Sequence, residues 1–287
     1  MMKKMVYLGL CMVCCAMLGM VGCKSFSLHS PEKECVPFVV KNSKGEAVTL
    51  LPAKGVLENR LAREEAPMAV VTAMQPAVID DRFECVLRDE TAQLEVWSLL
   101  KVSDEVSSEG FGVIVVKDGV KNVFASMRHG KMPLAYFDAA KGRLWLTGGV
   151  MEGTGVHVEK AYGIEFDDKG VAHIVTEIDP YDIQNLVCEH LAYFTEGDSL
   201  TLYDQNTRLA TVESTVDNMG GFYDDAVWVG EQLSFTFDAQ GPKVHVVPGA
   251  NFVVGKVLFY DFMPTLVARV RLEGDTMKID DLDLVEE

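Results

Sequence analysis

Positive charge is scarce in this chain. It has 26 Lys and Arg residues against 43 Asp and Glu, which gives a formal net charge of −17. Two of the lysines, Lys3 and Lys4, lie at the extreme N-terminus. Because binding to a phosphate backbone requires a basic patch, the composition argues against nucleic acid as a partner. It argues equally against adhesion of the folded surface to anionic lipid by charge.

The signature motifs of several large enzyme classes are also missing. The sequence has no G-x-S-x-G nucleophile elbow, no H-E-x-x-H zinc-binding helix and no P-loop, since the Gly-rich stretch Gly148 to Gly155 lacks the phosphate-binding lysine. These absences argue against lipase, zincin, kinase and NTPase activities. We therefore expect a binding or scaffolding role rather than catalysis.

Residues 1–22 have the pattern of a signal peptide. Two lysines precede an uncharged apolar run that starts at Met5, and small residues lead to Cys23. The segment from Met20 to Cys23 resembles the lipobox of bacterial lipoproteins, in which the cysteine is lipidated and becomes the mature N-terminus. An uncleaved transmembrane helix is the alternative, because residues 5–22 reach the short end of the length that spans a bilayer.

The lipobox resemblance implies a lipid anchor on Cys23, with a diacylglyceryl thioether and an amide-linked acyl chain such as palmitate. At about 0.8 kcal/mol per buried CH₂, several chains form an essentially permanent membrane anchor. Residues 23–34 show no apolar periodicity and predict a flexible tether. Lys24 stands where some bacterial lipoproteins carry an inner-membrane retention aspartate, which favours the outer membrane of a Gram-negative bacterium.

Few cysteines remain once the leader is removed. Of the seven in the sequence, three leave with the leader and one carries lipid, so Cys35, Cys85 and Cys188 are left. Their spacing matches no zinc or redox motif, although an oxidising envelope would permit one disulfide and one spare thiol. We expect them to act as small buried hydrophobic residues.

Two segments predict helices. In the stretch 179–188, Asp179 suits the N-cap and Pro180 the first helical position, and the apolar residues fall on one face. A shorter helix is predicted over residues 56–65 and should stop before Pro67. It belongs to an N-terminal segment, residues 35–65, that precedes the main domain.

Period-two alternation dominates residues 66–287, which no long linker interrupts and which we treat as one domain. Turns rich in Asp and Gly separate the alternating runs, and this pattern predicts an antiparallel, all-β fold. The predicted strands are Phe83 to Leu87, Leu94 to Lys101, Phe111 to Lys117, Arg143 to Thr147, His157 to Phe166, Val171 to Ile178, Leu200 to Tyr203, Leu233 to Phe237, Val244 to Val247 and Leu266 to Leu272.

The density of hairpins favours a small propeller-like domain over a two-sheet sandwich or barrel, which is the alternative. Hairpin centres near residues 205, 240 and 274 lie about 35 residues apart, slightly less than the blade repeat of known propellers. The segment from Leu144 to Gly149, followed by Tyr162 to Asp167, resembles one kelch blade: an apolar strand, a Gly doublet and an aromatic strand.

The first candidate site follows the Gly-rich loop predicted at Gly148 to Gly155. His157 and Glu159 come after it and share one face of a strand. Together with Glu152 they offer an imidazole and two carboxylates, which suits a metal or an acid/base pair. The alternative is a long turn without a ligand.

The second candidate site is the acidic, aromatic stretch 217–231, which surrounds a Gly doublet. Flat rings stack on sugar faces, and carboxylates accept from sugar hydroxyls or hold Ca²⁺, so a glycan or calcium ligand is expected. The alternative is an acidic surface loop pinned to the core by its rings. If both segments line one site, Trp228 should face solvent. The residues assigned to this site are Asp217, Phe222, Asp224, Asp225, Trp228 and Glu231.

One further histidine is expected in the core. If the turn after Asp167 pairs Phe166 with Val171, then His173 lies opposite Ile164 on an apolar face. A histidine there would be a satisfied core residue rather than a ligand.

Several adjacent Asp pairs suggest the paired carboxylates of a glycosidase. Neighbouring residues of a strand, however, point to opposite faces. A catalytic carboxylate couple would have to come from different strands. The leading hypothesis is thus a lipid-anchored envelope protein whose β-rich domain binds or scaffolds a glycan or another envelope protein. The alternative is a lipid-anchored, glycan-processing hydrolase that uses paired carboxylates.

Overall fold

A computed structural model of the chain describes residues 38–57, 69–72, 79–99, 111–127, 133–153, 156–213, 219–254, 257–274 and 276–285. The chain divides into two compact units, Met1–Pro31 and Glu32–Glu287, and all described residues lie in the second. The predicted leader and tether, with Cys23, lie outside the described residues, as does Cys35. Among the residues that are described, no helix combines the length and the apolar character needed to cross a membrane.

The described domain is built mostly from antiparallel strands with one helix, which confirms the predicted all-β class. The strands before the helix are β1 (Val39–Lys41), β2 (Ala47–Thr49), β3 (Leu51–Pro52), β4 (Lys54–Gly55), β5 (Ala69–Thr72), β6 (Phe83–Asp89), β7 (Leu94–Leu99), β8 (Phe111–Lys117), β9 (Val120–Met127), β10 (Ala135–Asp138), β11 (Arg143–Gly153), β12 (Val156–Phe166) and β13 (Ala172–Ile178). The helix, α1 (Pro180–His190), is followed by β14 (Leu191–Glu196), β15 (Ser199–Asp204), β16 (Thr207–Glu213), β17 (Met219–Val229), β18 (Gln232–Asp238), β19 (Gly241–Val246), β20 (Gly249–Val254), β21 (Val257–Phe262), β22 (Leu266–Glu273), β23 (Thr276–Ile279) and β24 (Asp283–Leu284).

Three antiparallel meanders follow one another along the chain: β6 to β9, β10 to β13, and β14 to β16. The propeller-like prediction depends on hairpin density, with turns near residues 205, 240 and 274; these are the β15–β16, β18–β19 and β22–β23 hairpins. The kelch-like segment is the β11–β12 hairpin of the second meander. The later strands do not continue the succession of meanders, because β12 pairs in parallel with β18 and joins two groups of strands into one nine-stranded sheet. Within the described ranges, no sheet closes into a barrel.

The buried hydrophobic residues of the described part form three clusters: a large one, a second one, and a small one around Leu57 and Val158. In the second cluster, residues such as Val113 and Phe124 of the first meander pack against Leu144 and Ile164 of the second meander. Strand alternation turns Trp145, the neighbour of Leu144, to the opposite face and into the larger cluster. The β11–β12 hairpin is therefore buried on both sides, which fixes the register of the strand that carries the first candidate site.

Helix α1 begins as the sequence predicts. Asp179 is the N-cap, its Oδ1 accepts from the backbone N–H of Tyr181 at 2.9 Å, and Pro180 occupies the first turn. Ile183 and Val187 are fully buried in the larger cluster. The helix ends at His190, and β14 follows without a loop.

Three local expectations are corrected. The Gly-rich stretch predicted as a loop is strand up to Gly153, because a β-bulge between Gly149 and Met151 absorbs the extra residue. The acidic stretch 217–231 is likewise largely strand, since β17 covers most of it. Val56 and Leu57, the first residues of the shorter predicted helix, are not helical, and residues 58–65 lie outside the described part.

The register of the β12–β13 hairpin differs by one residue from the expected one. Phe166 pairs with Ala172 instead of Val171, so His173 lies opposite Glu165. A one-residue shift moves every side chain to the other face of a strand. His173 is consequently exposed, with Nε2 3.6 Å from a carboxylate oxygen of Asp167, and the expectation of a core histidine was wrong.

Candidate functional site

The two segments singled out in the sequence meet where β12 pairs with β18. The parallel pairing joins His157 to Gln232 and Val158 to Leu233. Just before β18, the backbone carbonyl of Glu231 accepts from the N–H of His157 at 2.7 Å. The junction thus places the first candidate site beside the C-terminal end of the second.

His157 and Glu159 contact each other at this junction. The imidazole Nε2 lies 3.0 Å from Glu159 Oε1, and the side chains are only 15% and 11% exposed. The other oxygen, Oε2, accepts from the backbone N–H of Phe235 at 2.9 Å. The backbone pairing of β12 with β18 ends at Val158 and Leu233. The N–H of Phe235, two residues farther along β18, is therefore bonded by the Glu159 carboxylate instead of by a backbone carbonyl of β12. Both oxygens of Glu159 are therefore bonded within the protein.

Trp228 is buried at the same junction, with 8% of its surface exposed. Its indole N–H donates to Glu231 Oε2 at 3.2 Å. The ring lies over Gly249 of β20, where a Cβ would clash with the ring atoms, so the absence of a side chain there creates the space for it. This corrects the expectation of a solvent-facing ring, because a covered ring offers no open surface for stacking on a sugar.

The remaining predicted residues are placed by their backbones alone. Glu152 of β11 lies directly opposite His157 in the hairpin. Phe222 of β17 pairs with Phe252 of β20, and the register shifts before Val227, across the part of β17 that contains Asp224 and Asp225. Asp217 lies outside the described residues. A calcium or glycan site in this stretch remains a prediction.

A second grouping of ligand-type side chains was not predicted from the sequence. It consists of His190 at the end of α1, Asp204 at the end of β15, and Asp281 between β23 and β24. One ligand atom from each residue lies within 4.8 Å of the others, and this is the one such group found among the described residues. His190 Nδ1 and Asp204 Oδ1 lie 3.1 Å apart.

Electrostatics favour the protonated imidazole in this grouping, which we call the α1 corner. The hydrogen bond with Asp204 raises the pKa of His190, burial opposes the rise, and the negative charges of Asp204 and Asp281 add to it. Asp204 is 4% exposed, and its Oδ2 accepts from the N–H of Leu282 at 2.6 Å. That bond anchors the segment that carries Asp281.

No spacing in the sequence could have revealed the α1 corner. His190 and Asp204 meet at the open end of the β14–β15 hairpin, but Asp281 comes from a distant part of the chain between β23 and β24, where an Asp equally suits a turn. Comparison with known proteins adds no assignment: no protein-family model, curated protein or solved structure matches this chain.

Proposed function

We propose that this chain is a lipid-anchored protein of the bacterial cell envelope, at the outer membrane, whose β-rich domain binds or scaffolds a partner without catalysing a reaction. The lipobox-like end of the leader, Met20 to Cys23, carries the proposal. It follows two lysines and an uncharged run, and its cysteine supplies the thiol that lipidation requires. The partner is a glycan or another envelope protein.

The contacts at the β12–β18 junction support binding over glycan hydrolysis. A catalytic carboxylate must present an oxygen to the substrate or to an attacking water. Glu159 has one oxygen on His157 and the other on the N–H of Phe235. Glu231 has one oxygen on the indole of Trp228. These carboxylates hold strands together, which suits a scaffold.

Metabolic labelling tests the anchor. Wild-type protein should incorporate labelled palmitate and partition into detergent, and Cys23→Ala should lose the label while Cys35→Ala retains it. A Cys23→Ala protein that still takes up label, or a mature N-terminus upstream of residue 23, would contradict the proposal.

Binding and hydrolysis are separated by a second experiment on the wild-type protein. Incubation with an array of envelope glycans should give retention on the array without release of new reducing ends. Glu152→Gln should weaken that retention and leave the melting temperature unchanged, whereas release of reducing ends would favour the hydrolase.

A further inference from the structure

Three metal-ligand side chains converge at the α1 corner from three separate elements. We propose that His190, Asp204 and Asp281 form a binding site for one divalent transition-metal ion of the Zn²⁺ type. The donors are one imidazole nitrogen and one oxygen from each carboxylate, and these atoms lie within 4.8 Å of one another. This proposal is independent of the lipid anchor and of the glycan ligand.

The donor set selects the class of metal. Imidazole nitrogen is a good ligand for Zn²⁺, Ni²⁺ and Cu²⁺, whereas Ca²⁺ and Mg²⁺ take oxygen ligands. Tetrahedral ligands that lie about 2.0–2.1 Å from zinc are roughly 3.3 Å apart. The 3.1 Å between His190 Nδ1 and Asp204 Oδ1 is close to that separation, so two of the ligands need little rearrangement.

The protein already orients the buried ligand. Asp204 is almost fully buried, and its Oδ2 is held by the N–H of Leu282, which leaves Oδ1 directed at the imidazole. A hydrogen bond from a neighbouring group to the non-ligating atom is the usual way in which metal ligands are fixed. The carbonyl of His190 also accepts from the N–H of Gln205 at 2.8 Å, which ties the end of α1 to the turn after β15.

The third ligand distinguishes a metal site from a simple ion pair. A buried His190–Asp204 pair requires no other acid. Yet Asp281 brings a second carboxylate to the same imidazole, lies exposed, and makes no hydrogen bond with any described residue. Three protein ligands would leave a fourth position for water or an external ligand, the arrangement of solvent-accessible zinc sites.

Titration calorimetry of the untagged full chain in detergent tests the site, after treatment with a chelator and dialysis. We expect wild-type protein to bind one Zn²⁺ per chain at this site. Asp281→Asn should weaken that binding at least about tenfold, since loss of even a supporting partner of a ligand commonly costs about 10- to 100-fold. His190→Gln should do the same.

A matched control is the exposed histidine on β13. His173 faces Asp167 at 3.6 Å in a His–Asp pair on the surface, so His173→Gln should leave zinc binding unchanged. Circular dichroism and the melting temperature of each variant confirm that it is folded. Because Asp281 is exposed, its variant separates loss of a ligand from loss of the fold.

Two results would overturn the proposal. The first is zinc binding by wild-type protein that is no tighter than that of Asp281→Asn and His190→Gln. The second is competition by Ca²⁺ or Mg²⁺ at equal concentration, because it would show that the imidazole is not a ligand. Co²⁺ gives an independent readout: its visible absorption bands should appear with wild-type protein and be absent with His190→Gln.

Discussion

At the β12–β18 junction, the carboxylate of Glu159 has both oxygens bonded within the protein, whereas at the α1 corner the carboxylate of Asp281 lies exposed beside His190. Both places combine histidine with acidic residues. They differ in what the acids do. Asp204 at the α1 corner is bonded much as Glu159 is, to a histidine and to a backbone N–H. The two regions therefore differ in the additional carboxylate of Asp281, which is exposed, makes no hydrogen bond with a described residue and is available to a ligand.

The largest expected effect on stability comes from Trp228, which is buried at the β12–β18 junction. Trp228→Ala should lower the free energy of unfolding by about 3–5 kcal/mol, the usual cost of removing a large buried aromatic ring. Urea denaturation monitored by circular dichroism measures it. Gly249→Ala should also destabilise the domain, because its Cβ meets the ring, while Gly112→Ala, which meets no close neighbour, should not. A Trp228→Ala protein of wild-type stability would place the ring at the surface.

A second test compares the two carboxylates directly. Glu159→Ala should cost about 3 kcal/mol, since it leaves the buried N–H of Phe235 without an acceptor and removes the bond to His157. Glu159→Gln retains an acceptor and should cost less. Asp281→Ala should change stability by no more than about 0.5 kcal/mol, as surface substitutions usually do. If Glu159→Ala and Asp281→Ala lower the free energy of unfolding equally in the same assay, the two carboxylates do not differ in their contribution to the fold.

Strand prediction succeeded where one face is buried and the other is not. The run Leu266 to Leu272 became β22 because its alternation has a direct physical cause. Strand β17 was missed because Asp224, Asp225 and the Gly doublet conceal its alternation. The glycines near Gly149 suggested a loop, but β11 continues through them and forms a β-bulge between Gly149 and Met151.

The candidate sites were harder to predict than the strands. His157 and Glu159 are neighbours on one strand face, so local geometry is enough to bring them together. The contact between His157 and Glu231 depends on a parallel pairing of distant strands, which no local pattern encodes. A single-residue shift in the register of the β12–β13 hairpin places His173 at the surface instead of on the expected core face.

The smallest expected effect concerns pH, and it has opposite signs in the two regions. Burial and then the charge of Lys243 lower the pKa of His245, against the opposing charge of Glu159 at the junction. The unfolded chain therefore binds more protons at this histidine, and the free energy of unfolding falls as pH decreases below the ordinary histidine pKa of 6.5. At the α1 corner the pKa of His190 is raised, so its contribution is complete below that value and is lost as pH rises through the raised pKa.

Denaturation at a series of pH values, with chelator present, measures both contributions. His245→Gln should make the protein relatively more stable on the acidic side of neutrality, because a group that resists protonation has been removed. His190→Gln should make it relatively less stable there, because the ion pairs with Asp204 and Asp281 are lost. If the stability profiles of His245→Gln and His190→Gln move in the same direction with pH, the pKa values of the two imidazoles are not shifted in opposite directions. The proposed electrostatic contrast between the two regions would then be wrong.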